Sequence, residues 1–313
     1  MKKRIISGVL VLLTSFMLIG CNAEATQNTN KDKLNIVVSI YPLKEFTEEI
    51  AGDKAEVTCM VPDNVEPHEY EPKTKDLEGL TEADAFIYNG LGMEDWVDKV
   101  NDTIQDNKVL VVNSSEGVES RKEGDAIDPH SWLSLKNAEI QSENIKNTLV
   151  KLDEKNKDYY EENYNKFKDK LEELYNEYKP KFDALSKKDF VTGHAAFGYL
   201  CRDYGLSQKS VEDLFAEGEP TSKQLEDLVN YCKTNNIKTV FSESLASPKI
   251  SDTLAKEVNA SVVPILTLES KEDDKSYIEA MRYNLEVIYK CMQSEWNYKN
   301  ILKKIIKTPI YKL

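Results

Sequence analysis

The sequence predicts an α/β protein of two similar lobes, each with a parallel-type sheet, joined by one long α-helix. Two observations carry this. Short apolar runs, each ended by Asn, Asp, Gly or Pro, alternate with stretches of helical spacing, as in parallel sheets with crossover helices. That pattern runs once through the first third of the chain and restarts near residue 186. In the first pass, residues 34–40, 57–61, 85–88 and 109–112 read as strands. Helical spacing lies at 43–50 and 74–83. In the second pass the strands are expected at 190–192, 208–211, 238–241 and 262–266, with helices at 222–235 and 249–258 between them. Between the passes, Tyr160, Tyr164, Phe167, Leu171, Leu174 and Tyr178 recur at alternating spacings of four and three. This is one apolar stripe on a helix. Some 25 residues at 1.5 Å rise span about 38 Å, enough to run along both lobes.

The organisation that follows is a signal segment at 1–20, a tether at 21–33, a first lobe at 34–136, a helical linker region at 137–185, a second lobe at 186–292 and a basic tail at 293–313. Lys2, Lys3 and Arg4 precede an apolar run at 5–19, the layout of a secretory signal. Leu18-Ile19-Gly20-Cys21 resembles a lipobox, which marks Cys21 as the lipidated new N-terminus. Beyond that run, no apolar stretch approaches the ~20 residues that span a bilayer. With 55 acidic against 41 basic side chains, the net charge is −14. A surface this acidic excludes a nucleic-acid reader, which needs a basic footprint to displace counterions. Cys59, Cys201, Cys232 and Cys291 form no C-x-x-C pair, so they read as small buried hydrophobes rather than a zinc or redox motif.

Only three histidines occur, and each sits beside a turn. His68 lies in Glu66-Pro67-His68-Glu69-Tyr70, after the second strand. His130 lies in Asp128-Pro129-His130-Ser131-Trp132, before the long helical region, and His194 in Thr192-Gly193-His194-Ala195-Ala196-Phe197, at a strand-to-helix turn. Ligands of open α/β sheets bind beyond the carboxyl ends of strands. Neutral imidazoles ligate metals, and three converging on one point suit zinc. A carboxylate from the second lobe would complete the set. Glu269, after the last strand, and Glu243, at the end of the preceding one, are equally well placed, and spacing does not choose between them.

These blocks together resemble the substrate-binding lipoproteins of zinc/manganese ABC importers, the cluster A-I metal-binding family. The resemblance rests on the three histidine blocks, on Phe241-Ser242-Glu243-Ser244 with Pro248, and on Leu268-Glu269-Ser270 followed by Ser276-Tyr277. It covers residues 34–292 and implies a metal held in the cleft between the lobes by His68, His130, His194 and Glu269, with Glu243 in support. It further implies a monomer on the outer face of the cytoplasmic membrane, held by a lipid anchor and serving a permease with its cytoplasmic ATPase. Three nitrogens and one oxygen favour zinc, while manganese prefers more oxygen donors and is the alternative cargo. The acidic stretch 116–128 stands where many zinc members carry a His-rich loop, and the basic tail has no counterpart.

The rival reading is a zinc hydrolase, because three His plus water is a catalytic arrangement. A fourth protein ligand closes that shell, and the chain carries no H-E-x-x-H, G-x-S-x-G or P-loop. An adhesin role, attributed to some relatives, has no sequence mark. Free histidine titrates near ~6.5, so zinc affinity is expected to fall steeply as pH drops through 6.

Overall fold

The computed structural model describes residues 33–104, 108–215, 221–243, 248–271 and 274–293. The signal segment, Cys21 and nearly all of the basic tail lie outside these residues. Among the described residues no helix is long and apolar enough to cross a membrane.

The eight predicted strands are present. The first sheet contains β1 (Leu34–Val38), β2 (Ala55–Cys59), β3 (Ala85–Tyr88) and β4 (Leu110–Asn113), in the order β2-β1-β3-β4. Every pairing in it is parallel. Its crossovers are α1 (Tyr41–Ala51), α2 (Thr74–Thr81) and α3 (Val97–Ile104). A short hairpin follows, β5 (Lys122–Glu123) with β6 (Ala126–Ile127), in the stretch read only as acidic.

After the linker come β7 (Asp189–Thr192), α6 (Gly198–Tyr204), β8 (Ser207–Ser210), α7 (Ser222–Thr234), β9 (Thr239–Glu243), α8 (Pro248–Val258) and β10 (Ser261–Ile265). This sheet has the order β10-β9-β7-β8, again all parallel. Numbered within its own lobe, each sheet therefore runs 2-1-3-4. The lobes share one topology, and each has a switch point between its first and third strands, where crossovers diverge and leave a crevice.

The linker region holds two helices. The first, α4 (Leu135–Leu152), is capped by Ser134, whose Oγ accepts the Asn137 N–H. Asp153 leaves helical geometry (φ −144°, ψ 67°), and α5 (Lys157–Asp183) then runs 27 residues without a break. At 1.5 Å per residue it is about 40 Å long. All six residues of the predicted stripe are buried on it. Phe167 meets Phe46 of α1 at 5.7 Å, and Phe182, further along, meets Tyr204 of α6 at 4.9 Å. The last helix among the described residues, α9 (Tyr277–Met292), packs beside it and opens with a capping box between Ser276 and Glu279. One apolar core consequently runs from the first sheet through α5 to α9, while a smaller one around Val191, Leu228, Val240 and Leu254 lies under α7 and α8.

Hydrogen bonds, most of them buried, tie the lobes together beside the histidines. Trp132 Nε1 donates to Thr267 O at 2.8 Å, and Tyr277 Oη donates to Trp132 O. Tyr199 Oη donates to Asp128 O at 2.9 Å, and Asn64 N–H reaches Ser270 Oγ at 2.7 Å. The four internal cysteines are free, and burial pushes their thiols up, Cys232 and Cys291 to about 11.

Candidate metal centre

Each candidate residue stands at or beyond a strand end or beside a short 3-10 turn. His68 lies in a short 3-10 turn (Pro67–Glu69) beyond β2, where the Glu66 carboxylate accepts its N–H. His130 directly precedes another 3-10 turn (Ser131–Leu133) leading into α4. His194 is two residues beyond β7, Glu243 ends β9, and Glu269 follows β10 by four residues. β7 and β9, which lead to His194 and carry Glu243, flank the second lobe's switch point, while β2 and β10, which precede His68 and Glu269, are edge strands.

The side chains converge. His130 Nε2 is 3.1 Å from His68 Nε2 and 3.4 Å from His194 Nε2. Glu269 Oε1 is 3.6 Å from His130 Nε2 and 3.9 Å from His194 Nε2. One ligand atom from each of His68, His130, His194 and Glu269 lies within 4.8 Å of every other. A tetrahedron with bonds of ~2.0–2.2 Å has edges of about 3.3–3.6 Å, so these four atoms already approximate a zinc coordination shell. Glu269 Oε1 is buried and accepts no hydrogen bond, whereas Oε2 takes the Thr267 hydroxyl at 2.7 Å. A buried anionic oxygen without a donor is costly unless a cation sits against it.

Glu243 is placed differently. Its Oε1 accepts the His194 backbone N–H at 3.3 Å and lies 3.8 Å from His194 Nδ1. A Cβ at Gly193 would stand 2.1 Å from Glu243 Oε2, so only glycine allows this approach. Of the two acids that spacing left equal, Glu269 joins the three Nε2 atoms and Glu243 supports the backbone of one of them.

The surroundings set the protonation. Burial, then the His130 ring, lowers His68 to about 3, and burial lowers His194 to about 4, so both imidazoles are neutral at pH 7. Burial also opposes charge on His130, but Asp128 and Glu269 outweigh it and hold that ring up at about 9. Burial would raise Glu269, yet the three imidazoles bring it down to about 2. Burial leaves Glu66 and Glu243 near about 8. At pH 7 the site therefore holds one ion pair, His130 with Glu269, and two neutral rings.

Sequence reasoning named Asp128 within its block and assigned it no role. Its Oδ1 accepts a hydrogen bond from His130 Nδ1 at 2.9 Å, and its Oδ2 accepts one from Arg121 Nη1 at 2.9 Å. This carboxylate turns His130 Nε2 toward the other ligands and raises its basicity, as outer partners of metal-bound histidines do. A carboxylate two residues before a candidate ligand was the available signal. Phe215 was not foreseen. Its ring stands edge-on to His68 at 5.4 Å, and His68 is the one partly exposed member of the four.

The family model ZnuA, zinc-uptake complex component A, periplasmic, matches residues 36–291. The high-affinity zinc uptake system protein ZnuA of Bacillus subtilis is 37% identical over 306 residues, covering 90% of this chain and 96% of that protein. The zinc-binding lipoprotein AdcA of Streptococcus pneumoniae is 35% identical over 315 residues, 94% of this chain but 62% of AdcA. A Zn(II)-bound structure of AdcA from that species aligns with a TM-score of 0.75 at 35% identity, covering 85% of this chain and 59% of that one. The laminin-binding protein Lmb of Streptococcus agalactiae, described as bifunctional with adhesin and metal-transporting activity, gives a TM-score of 0.79 at 33% identity, over 83% of this chain and 100% of that one.

Proposed function

The chain belongs to the ZnuA family of zinc-uptake components, and from that premise we propose that it captures Zn²⁺ through His68, His130, His194 and Glu269 and hands it to an ABC permease. It is an extracytoplasmic transport protein and not an enzyme. The observation that carries the ligand assignment is the convergence of three Nε2 atoms with Glu269 Oε1, a buried carboxylate oxygen that accepts no hydrogen bond. Zinc is a cargo here. Four protein ligands leave no open position of the kind a hydrolytic water needs.

Competitive titration of Zn²⁺ and Mn²⁺ on the purified protein tests the assignment. Wild type is expected to bind one zinc and to prefer it strongly. His194→Glu converts the donor set from three nitrogens and one oxygen to two of each, which should weaken zinc and narrow its lead over manganese. Unchanged affinities for both metals in that variant would remove His194 from the ligand set.

The protein acts as a monomer in this reading, since all four ligands come from one chain. It is held at the outer face of the membrane by lipid on Cys21, a position supported by the sequence around it. One acyl chain anchors only marginally, with K of about 10⁴ M⁻¹, so stable retention needs at least two. Cys21→Ser is expected to leave the protein unprocessed or released. Wild-type protein recovered from the medium, with no lipid adduct by mass spectrometry, would refute the anchor.

A further inference from the structure

The first lobe has its own switch point, between β1 and β3, and the protein fills it with its own side chains. Glu94 is buried there. Its carboxylate accepts the Ser39 hydroxyl at 2.5 Å and the backbone N–H groups of Asn89 at 2.8 Å and Gly90 at 2.9 Å. The turn it holds is an unusual one. Gly90, Leu91 and Gly92 all have positive φ, at 81°, 58° and 85°. A leucine keeps such a conformation only where its surroundings impose it. At Gly90 a Cβ would fall 2.3 Å from Asn113 Oδ1.

Asn89 is the next link. Fully buried, it donates from Nδ2 to Pro129 O at 2.9 Å. Its Oδ1 accepts from Ser131 Oγ at 3.2 Å and from Gln141 Nε2 at 2.9 Å. Pro129 and Ser131 are the residues on either side of His130. A carboxylate 36 positions upstream (130 − 94 = 36) is thereby connected to both neighbours of a candidate ligand through one residue, Asn89, whose backbone it holds and whose side chain reaches them.

We propose that Glu94 is a positioning residue for the metal site: by clamping the turn at 89–93 it fixes Asn89, and through Asn89 it sets the backbone that aims His130. The inference rests on His130 being a zinc ligand. Glu94 touches none of the four ligands, and it stands apart from the Asp128 contact that orients the ring from its other side.

The test uses the full chain with Zn²⁺, read by chelator competition, and Co²⁺, read by its visible absorption bands. Four variants are compared with wild type: Glu94→Gln, Asn89→Ala, the double variant, and His130→Ala as reference. Each of the first two is expected to weaken zinc roughly 10–100-fold, the range seen when outer partners of metal ligands are lost. The Co²⁺ bands should shift, because the ligand field distorts, which a general loss of stability would not produce. Since Glu94 acts through Asn89, the double variant should bind no worse than Asn89→Ala alone. Additive losses, or wild-type affinity and bands in Glu94→Gln, would overturn the proposal. Wild-type affinity in His130→Ala would instead overturn the ligand assignment beneath it. Should Glu94→Gln fail to fold, Ser39→Ala removes one of its three donors. That variant is expected to bind about threefold more weakly, one hydrogen bond's worth, and unchanged binding there counts against the proposal.

Discussion

Replacing His130 with alanine is expected to weaken zinc binding by roughly 10²–10³-fold. Structural zinc sites of four ligands are worth ~10–16 kcal/mol, so one ligand in four accounts for about 2.5–4 kcal/mol, which at about 1.4 kcal/mol per factor of ten is roughly two to three powers of ten. His130 should stand at the top of this range, because it is the hub of the cluster. Its Nε2 lies 3.1 Å from His68, 3.4 Å from His194 and 3.6 Å from Glu269. Its loss also strips Glu269 of its main cationic neighbour and leaves Asp128 Oδ1 without the ring hydrogen bond it accepts. Asp128→Asn keeps the ligand and disturbs only its orientation and basicity, so it should cost ~10–100-fold. Glu243→Gln should cost least of the three, since its contact is to the His194 backbone. Chelator competition on the three variants orders them. Zinc binding by His130→Ala within threefold of wild type would mean that the metal is held elsewhere.

Much of this architecture was legible in the chain because it follows local rules. Strands such as Ile36-Val37-Val38 and Phe86-Ile87 are buried, β-branched or aromatic runs, and their ends are marked by turn residues. The α5 stripe was readable because every residue in it faces one core. Three histidines beside turns, His68 and His194 of them at strand ends, were legible for the same reason. The choice between Glu243 and Glu269 was not, because it depends on how each side chain leaves its strand. Glu243 still belongs to β9 and lies against Gly193. Glu269 sits past Leu268, whose φ of 61° turns the chain, in a segment tied to the first lobe through Thr267 and Ser270. The division of the linker into α4 and α5 was hidden as well. Asp153 ends α4 with its own backbone, while its side chain accepts Tyr160 Oη and Asn156 Nδ2, and no Gly or Pro announces the break. Glu94 escaped notice because both of its consequences, at Ser39 and through Asn89 at Pro129, join residues far apart in sequence.

Zinc affinity is expected to rise about tenfold per pH unit between pH 5 and 8, a thousandfold over the window, with a slope of one and not three. Three histidines of ordinary pKa, near ~6.5, would each carry a proton at pH 5 and would have to lose it on binding. The slope of log affinity against pH would then approach three below pH 6, as the bare sequence suggests. The folded environment changes that count. His68 and His194, lowered by burial to about 3 and about 4, are already neutral throughout the window and release nothing. His130, held up at about 9 by Asp128 and Glu269 against its burial, is protonated throughout and gives up one proton. The sign follows directly. Metal-free protein binds one more proton than the zinc complex, so raising pH favours the complex until His130 loses its proton unaided near 9. Glu269, brought down to about 2, is ionised on both sides of the equilibrium, and Glu66 and Glu243, near about 8 from burial, keep their protons at pH 5–6. Calorimetric titration in buffers of different ionisation enthalpy at pH 5.5 counts the protons directly. One released per zinc is the expected result; a count near three would show that His68 and His194 are solvated as ordinary histidines before the metal arrives. Asp128→Asn offers an internal check, because losing that carboxylate should bring the His130 pKa down. The proton count at pH 7–8 should then fall toward zero, even as zinc binds more weakly.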